Sequence, residues 1–354
     1  MSQTCIKRLV IALVLVLATG SVASGGYGPV SSAAQVSPRT LTFTNPVYRR
    51  NFPDPFILRV GHTYYAYATG TCSRNLQVMH STDLVHWSSV RDPLPRVPSW
   101  AQSSCNSFFE NRAIWAPEVL RRSNGTYVLY YVIHGAFQYS QCVSEAASSS
   151  PEGPFVDSSK GPLVCQTTLG GSIDPDPFRD SDGTLYLLWK NDGNSQGMPT
   201  YLWSQRLSAS GARLVGKPSK LLRNDASWEG PLIEAPTMWK QAGKYYVFFS
   251  ANGFNTSQYA TGFATCRGPS GPCKDAPENP ILKTRCQAAG PGGQALFVDA
   301  KGQTWIAYHA WLPNHIGDLP GSPGRLLWLD RLLWKNGKPV VHGPTCTAQT
   351  APAT

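Results

Sequence analysis

Along the chain an apolar stretch, a polar turn carrying a glycine, and an aromatic-rich stretch follow one another five times. The five turn glycines are Gly61, Gly125, Gly183, Gly243 and Gly302, spaced by 64, 58, 60 and 59 residues. Six residues after each stands an aromatic residue: Tyr67, Tyr131, Trp189, Phe249 and Tyr308. Each unit predicts a β-hairpin, because a glycine turn separates two runs rich in β-branched and aromatic residues. Repeats of about 60 residues exceed the 20–45 of ordinary solenoids and suit four-stranded blades. The predicted fold is therefore all-β, a five-bladed β-propeller spanning residues 41–345.

Composition agrees with this. Of 354 residues, 42% are hydrophobic and 11% aromatic, with only 15% charged, so a coiled coil or an acidic disordered chain is excluded. The formal charge is +10, but Lys and Arg are scattered and form no stripe of the kind a nucleic-acid binder needs. No nucleic-acid or membrane partner is expected, and the protein should be a monomer.

The ends read differently. Lys7 and Arg8 precede an apolar run from Leu9 to Ala18, and small residues follow at Ser21, Ala23 and Ser24. This is the pattern of a signal peptide over residues 1–24, too short to span a bilayer, so a secreted, extracellular protein is expected. Residues 25–40 read as a flexible leader and 346–354 as a short Thr/Pro/Ala-rich tail. Loss of Cys5 with the signal leaves eight cysteines, Cys72, Cys105, Cys142, Cys165, Cys266, Cys273, Cys286 and Cys346. In an exported chain that means up to four disulfides, with Cys266 and Cys273 the simplest local pair.

Acids recur where the first strand of the hairpins begins. Asp54 (NFPDPF) and Glu118 (WAPEV) lie seven residues before their turn glycines; Asp174 and Asp176 (SIDPDPF) lie nine and seven before theirs; Glu234 (LIEAPTMW) lies nine before. The fifth unit has GPGGQALF and no acid. In a propeller, equivalent strand starts converge on one mouth of the central channel. Carboxylates gathered there suit either a site for a hard cation or acid/base chemistry on a glycosidic bond. In the second case one ionised carboxylate activates water and a protonated one serves the leaving oxygen, with a third negative charge keeping that proton in place.

At these residues the chain resembles glycoside hydrolase family 43. NFPDPFILRVGHTYYAYATG, the SxDLxxW of Ser81 to Trp87, IWAPEV, SIDPDPFRDSDGTLYLLWK and IEAPTMWKQAGKYYVFFS stand in that family's order. The likeness covers about residues 45–340. It implies an inverting mechanism on α-L-arabinofuranosyl or β-D-xylosyl linkages of plant cell-wall polysaccharide or oligosaccharide. It also implies roles: Asp54 as general base, Asp174 as the orienting, pKa-modulating residue, Glu234 as general acid. Asp176 is a weaker match than Asp174 for IDPxxF, and Glu229 of WEGP falls five residues too early for the acid. Glu118 reads as structural. Arg325 in GRLLWLDRLLW matches an arginine aimed at sugar hydroxyls, and Trp115 is a candidate for stacking on a sugar ring. His309 reads as a hydrogen-bonded core histidine. Family members often carry a His after GPG to bind a central cation; Gly293 stands there instead, which counts against a structural calcium, and the chemistry requires no cofactor. The rival readings are a sugar-binding propeller without catalysis and a retaining β-fructosidase-like propeller. The latter is disfavoured because SIDPDP lacks the Arg of its R-D-P motif.

Overall fold

The computed structural model describes residues 41–102, 114–135, 140–317 and 320–354. The expected signal and leader segments and Cys105 lie outside them.

Five antiparallel sheets form five blades. Their inner strands are Phe56–Val60, Trp115–Arg121, Ser172–Arg179, Ile233–Gln241 and Ala289–Val298. The second strands, across the repeat glycine, are Thr63–Thr71, Tyr127–Gly135, Leu185–Asn191, Lys244–Ala251 and Thr304–Trp311. Each inner strand contacts the inner strand of the next blade, and the fifth contacts the first, so the ring closes. Gly125 and Gly183 have φ of 85° and 86°. A Cβ at either would meet nothing, so backbone conformation rather than crowding selects glycine there.

The repeat aromatics do the packing. Tyr67, Tyr131, Trp189, Phe249 and Tyr308 are all fully buried. Five apolar clusters lie between consecutive blades, and these aromatics are spread over four of them, Tyr67 and Tyr131 sharing one. Burying a face of each sheet against its neighbour is what makes isolated blades unstable and a closed ring stable.

The ring is fastened by the first and last strands among the described residues. Thr42–Phe43 pairs with Gln349–Thr350, and Phe43 packs in the cluster between the fifth and first blades. Beyond that pair, the Ala353 N–H donates to Asp299 Oδ2 at 3.1 Å and the Tyr64 hydroxyl donates to the Ala353 carbonyl at 2.8 Å. The 346–354 segment is thus part of the closure. Disulfides join Cys266 to Cys273, as expected, and also Cys142 to Cys165 and Cys286 to Cys346. Cys72 is disulfide-bonded as well.

One backbone irregularity recurs at the axis. Asp54, Ala116, Asp174, Ala235 and Gly293 all have positive φ, between 44° and 57°. In the last four blades each lies where the pairing between inner and second strand shifts register. Pro117, Pro175 and Pro236 occupy these bulges, where the ladder needs no N–H. For the four non-glycine residues such a conformation is strained, and at Asp54, Ala116 and Ala235 a side chain of the preceding blade holds it. The Ala116 N–H donates to Thr69 Oγ1 at 2.9 Å, and Gly293 to Ser250 Oγ at 2.9 Å. Ala235 donates to Asp174 Oδ2 at 2.9 Å, and Asp54 to His309 Nδ1 at 3.0 Å.

This frame corrects the counting of acids from the turn glycines. Asp54 and Asp174 occupy the left-handed position itself, and Glu234 precedes it by one residue. Glu118 and Asp176 follow it by two. The five acids therefore form two levels rather than one, because the segment from the bulge to the turn is two residues shorter in the first blade than in the second and third.

Candidate active site

A cavity of about 850 Å³ opens at the axis, and Asp54, Asp174, Glu234, Trp115 and Arg325 all line it. Three acids separated by up to 180 positions in the chain are brought together by the ring.

Asp54 is held on both oxygens. Oδ1 accepts from Arg325 Nη1 at 3.0 Å, and Oδ2 accepts from the Thr69 hydroxyl at 2.5 Å. That hydroxyl already accepts the Ala116 N–H, so its own hydrogen is committed to Asp54. Burial alone would raise the Asp54 carboxyl, but Arg325 and the Thr69 hydrogen bond outweigh it and pull it below its ordinary 3.8. His309 lies 3.3 Å from the same oxygen, yet it is no ion-pair partner. Burial and the nearby Arg325 push its imidazole down to about 3, so it is neutral, and its Nδ1 is an acceptor for the Asp54 N–H. The Tyr259 ring stacks on it at 5.7 Å.

Asp174 lies in the opposite electrostatic setting. Burial and the Glu234 carboxylate push it up to about 8, although Lys190 pulls the other way. Glu234 has a donor on each oxygen: the Tyr259 hydroxyl on Oε1 at 2.8 Å and Lys190 Nζ on Oε2 at 3.1 Å. Lys190 has a side chain only 1% exposed.

The second level is a carboxyl pair. Burial and Asp176 raise Glu118 well above its ordinary range, and burial raises Asp176 to about 7. The two carboxyl groups face each other, and Asp176 Oδ2 accepts the Met238 N–H at 2.8 Å. Asp176 thus ties the third blade to the fourth. Glu229 does not line the cavity. Its Oε2 accepts the Asp225 and Ala226 N–H groups at 2.7 and 2.9 Å, a local turn fastening.

Arg325 stacks over Phe254 at 4.7 Å, which fixes the guanidinium against Asp54. Phe254, Thr69, Tyr259 and Lys190 also line the cavity and were not singled out from the sequence. Lys190 alone carried a signal: it ends the apolar run LYLLWK, where strand alternation turns it to the same face as Tyr186 and Leu188. Among the described residues no cluster of three or more His, Cys, Asp or Glu side chains has the arrangement of a metal site. A Cβ at Gly293 would collide with the His309 ring, so that imidazole fills the space beside the axis which Gly293 leaves open.

A closed five-bladed ring with three acids in contrasting environments at one mouth is the frame of a carbohydrate-processing propeller. The sequence profile described as "Glycosyl hydrolases family 43" matches residues 43–339, and the chain belongs to that family. It is 30% identical over 86% of its length to a beta-xylosidase of Bacillus subtilis (strain 168), of which it spans 57%. It is also 30% identical, over 63% of its length, to an extracellular endo-alpha-(1->5)-L-arabinanase of Thermotoga petrophila, of which it spans 50%. The chain thus spans about half the length of these curated relatives. Among solved structures, a thermostable family-43 glycoside hydrolase superposes with a TM-score of 0.77 at 30% identity, covering 88% of this chain and 99% of that one.

Proposed function

We propose that the protein is an exported, monomeric, inverting glycosidase that hydrolyses α-L-arabinofuranosyl or β-D-xylosyl linkages in plant cell-wall glycans. The observation that carries this is geometric: Asp54, Asp174 and Glu234 line one cavity, with Arg325 on Asp54 at 3.0 Å and Lys190 on Glu234 at 3.1 Å. Asp54, kept charged by Arg325, takes a proton from water as that water attacks the anomeric carbon. The Asp174–Glu234 pair holds one proton between them, and with that proton on Glu234 it passes to the leaving oxygen as the glycosidic bond breaks. Asp174 supplies the third carboxyl and, through Ala235, fixes the backbone next to Glu234. Arg325 and Trp115 face the sugar. The names of the two curated relatives support the pair of linkages. Export is supported by the disulfides, which persist in oxidising compartments, and among the described residues no helix is long and apolar enough to cross a membrane.

The test is a panel of nitrophenyl α-L-arabinofuranoside, nitrophenyl β-xyloside, linear arabinan and xylo-oligosaccharide, with the first-formed product anomer followed by NMR. Turnover with inverted product is expected. No turnover on any member would overturn the reading, and a retained anomer would overturn the mechanism.

A further inference from the structure

The residue seven positions after each repeat glycine is Ala68, Val132, Lys190, Ser250 and His309 in turn. In the fourth and fifth blades it acts as a latch. Ser250 and His309 each accept the N–H of the next blade's left-handed residue. In the third blade the same position holds a lysine, which has no acceptor to offer. The N–H it would have taken, that of Ala235, goes to Asp174 instead. Lys190 reaches past it to the Glu234 carboxylate at 3.1 Å, with Asp192 as a more distant partner at 3.7 Å.

Burying an ammonium is costly unless it is well paired, and apolar packing fastens blades at least as well as a buried ion pair. The four other junctions do without one at this phase. The charge is therefore placed for something other than closure, and it is placed on a carboxylate whose charge must change during the reaction. We propose that Lys190 is a positioning residue for the general acid: its ammonium receives the carboxylate that Glu234 becomes on giving up its proton, and with Tyr259 it fixes which way that carboxyl points.

The step balances without any further reactant. The Glu234 O–H bond breaks, the proton goes to the glycosidic oxygen, and the C–O bond to the leaving group breaks. Lys190 keeps its own protons throughout. Burial disfavours its charge, but Glu234, Asp192 and Asp174 outweigh burial and hold it protonated. The titratable and charged groups facing Glu234 are Lys190 and Asp174 from the third blade and Tyr259 from the fourth, with Asp192 behind Lys190 and the Asp54–Arg325 pair across the cavity. With Tyr259 on the other oxygen, the carboxyl has no free choice of rotamer.

This inference rests on Glu234 being the acid, and the experiment separates the two. Lys190→Met, Lys190→Gln, Lys190→Arg and Glu234→Gln are compared with the unmodified full chain, using the best nitrophenyl glycoside from the panel above and the matching oligosaccharide, from about pH 4 to 10. Lys190→Met and Lys190→Gln should each lower kcat on the oligosaccharide about 10- to 100-fold, and on the aryl substrate less than about threefold, with KM little changed. Their alkaline limb should move to higher pH by about one unit or more, because a positive charge beside the acid is gone. Lys190→Arg should recover part of both. Equal losses on both substrates with an unmoved limb would mean Lys190 is only structural and would overturn the proposal. Lys190→Gln keeps a polar side chain of similar reach, so the readout survives if Lys190→Met fails to fold. If Glu234→Gln itself shows no leaving-group dependence, the acid assignment falls and this proposal with it; leaving-group dependence in Glu234→Gln without any in the Lys190 variants overturns the proposal alone.

Discussion

Asp174 reaches from the third blade to the fourth and accepts the Ala235 N–H at 2.9 Å, one residue beyond Glu234. A single carboxyl thereby holds a strained backbone residue (φ 51°) and sets the charge around its neighbour. Asp174→Asn keeps an oxygen that can accept the N–H but loses the titrating group. Activity should fall about 100-fold or more while the melting temperature moves by only a few degrees, whereas Asp174→Ala should lower both. Steady-state kinetics paired with thermal melts of the two variants check this; matched melting losses would assign Asp174 to structure alone.

Glu234→Ala should slow hydrolysis of unactivated oligosaccharides far more than of nitrophenyl glycosides, since only a poor leaving group needs a proton. Asp54→Asn should remove turnover on both, because water activation is common to both. Comparing kcat/KM across the two substrate types for each variant decides the assignment.

The alkaline side of the rate profile should fall near pH 8. The carboxyl pushed to about 8 by burial and Glu234 then ionises, and the Asp174–Glu234 pair loses the proton the reaction uses. The acidic side should fall only below the ordinary carboxylate range, since Arg325 keeps Asp54 charged to lower pH. A kcat/KM profile with its alkaline midpoint below pH 6 would contradict this.

Stability should carry the opposite imprint of burial. Asp176 titrates near 7 in the folded protein against about 4 in an unfolded chain. Between those values the folded state holds a proton that the unfolded state releases. Stability is therefore greatest below pH 4 as far as this group is concerned, and is lost as pH rises towards 7. Asp176→Asn should flatten that slope in melting temperature against pH, since it removes the titrating group and keeps an oxygen for the Met238 N–H. An unchanged slope would sink this reading of Asp176.

Among the disulfides, Cys286–Cys346 closes 60 residues and Cys266–Cys273 only seven. Chain entropy gives about 4 and about 2 kcal/mol respectively. Replacing both cysteines of the longer loop by serine should lower the melting temperature more than the same change in the shorter one.

The repeat glycines and the aromatic residues six positions on were enough to read the ring, because hairpin chemistry and sheet packing are local and periodic. Asp54, Asp174 and Glu234 were legible as acids at strand starts on motif order, whereas Arg325 was read only as a sugar-hydroxyl contact and its pairing with Asp54 came from the fold. What sequence spacing obscured was level. Glu118 and Asp54 lie at the same count from their glycines, yet the bulge separates them, since the first blade's segment is shorter.

Lys190, Tyr259, Thr69 and Phe254 were not legible as parts of the site. Each acts on a residue of another blade or loop, so no local pattern records the contact, and a lysine closing an apolar run reads as a strand end. Residue order alone specified five hairpins and where acids would stand; it did so because periodicity of side chains along a strand is a property of the chain itself. Which oxygen meets Arg325, which meets Lys190, and which carboxyl keeps its proton were decided only when the ring closed. Burial and charge act through space, at distances the chain does not encode position by position.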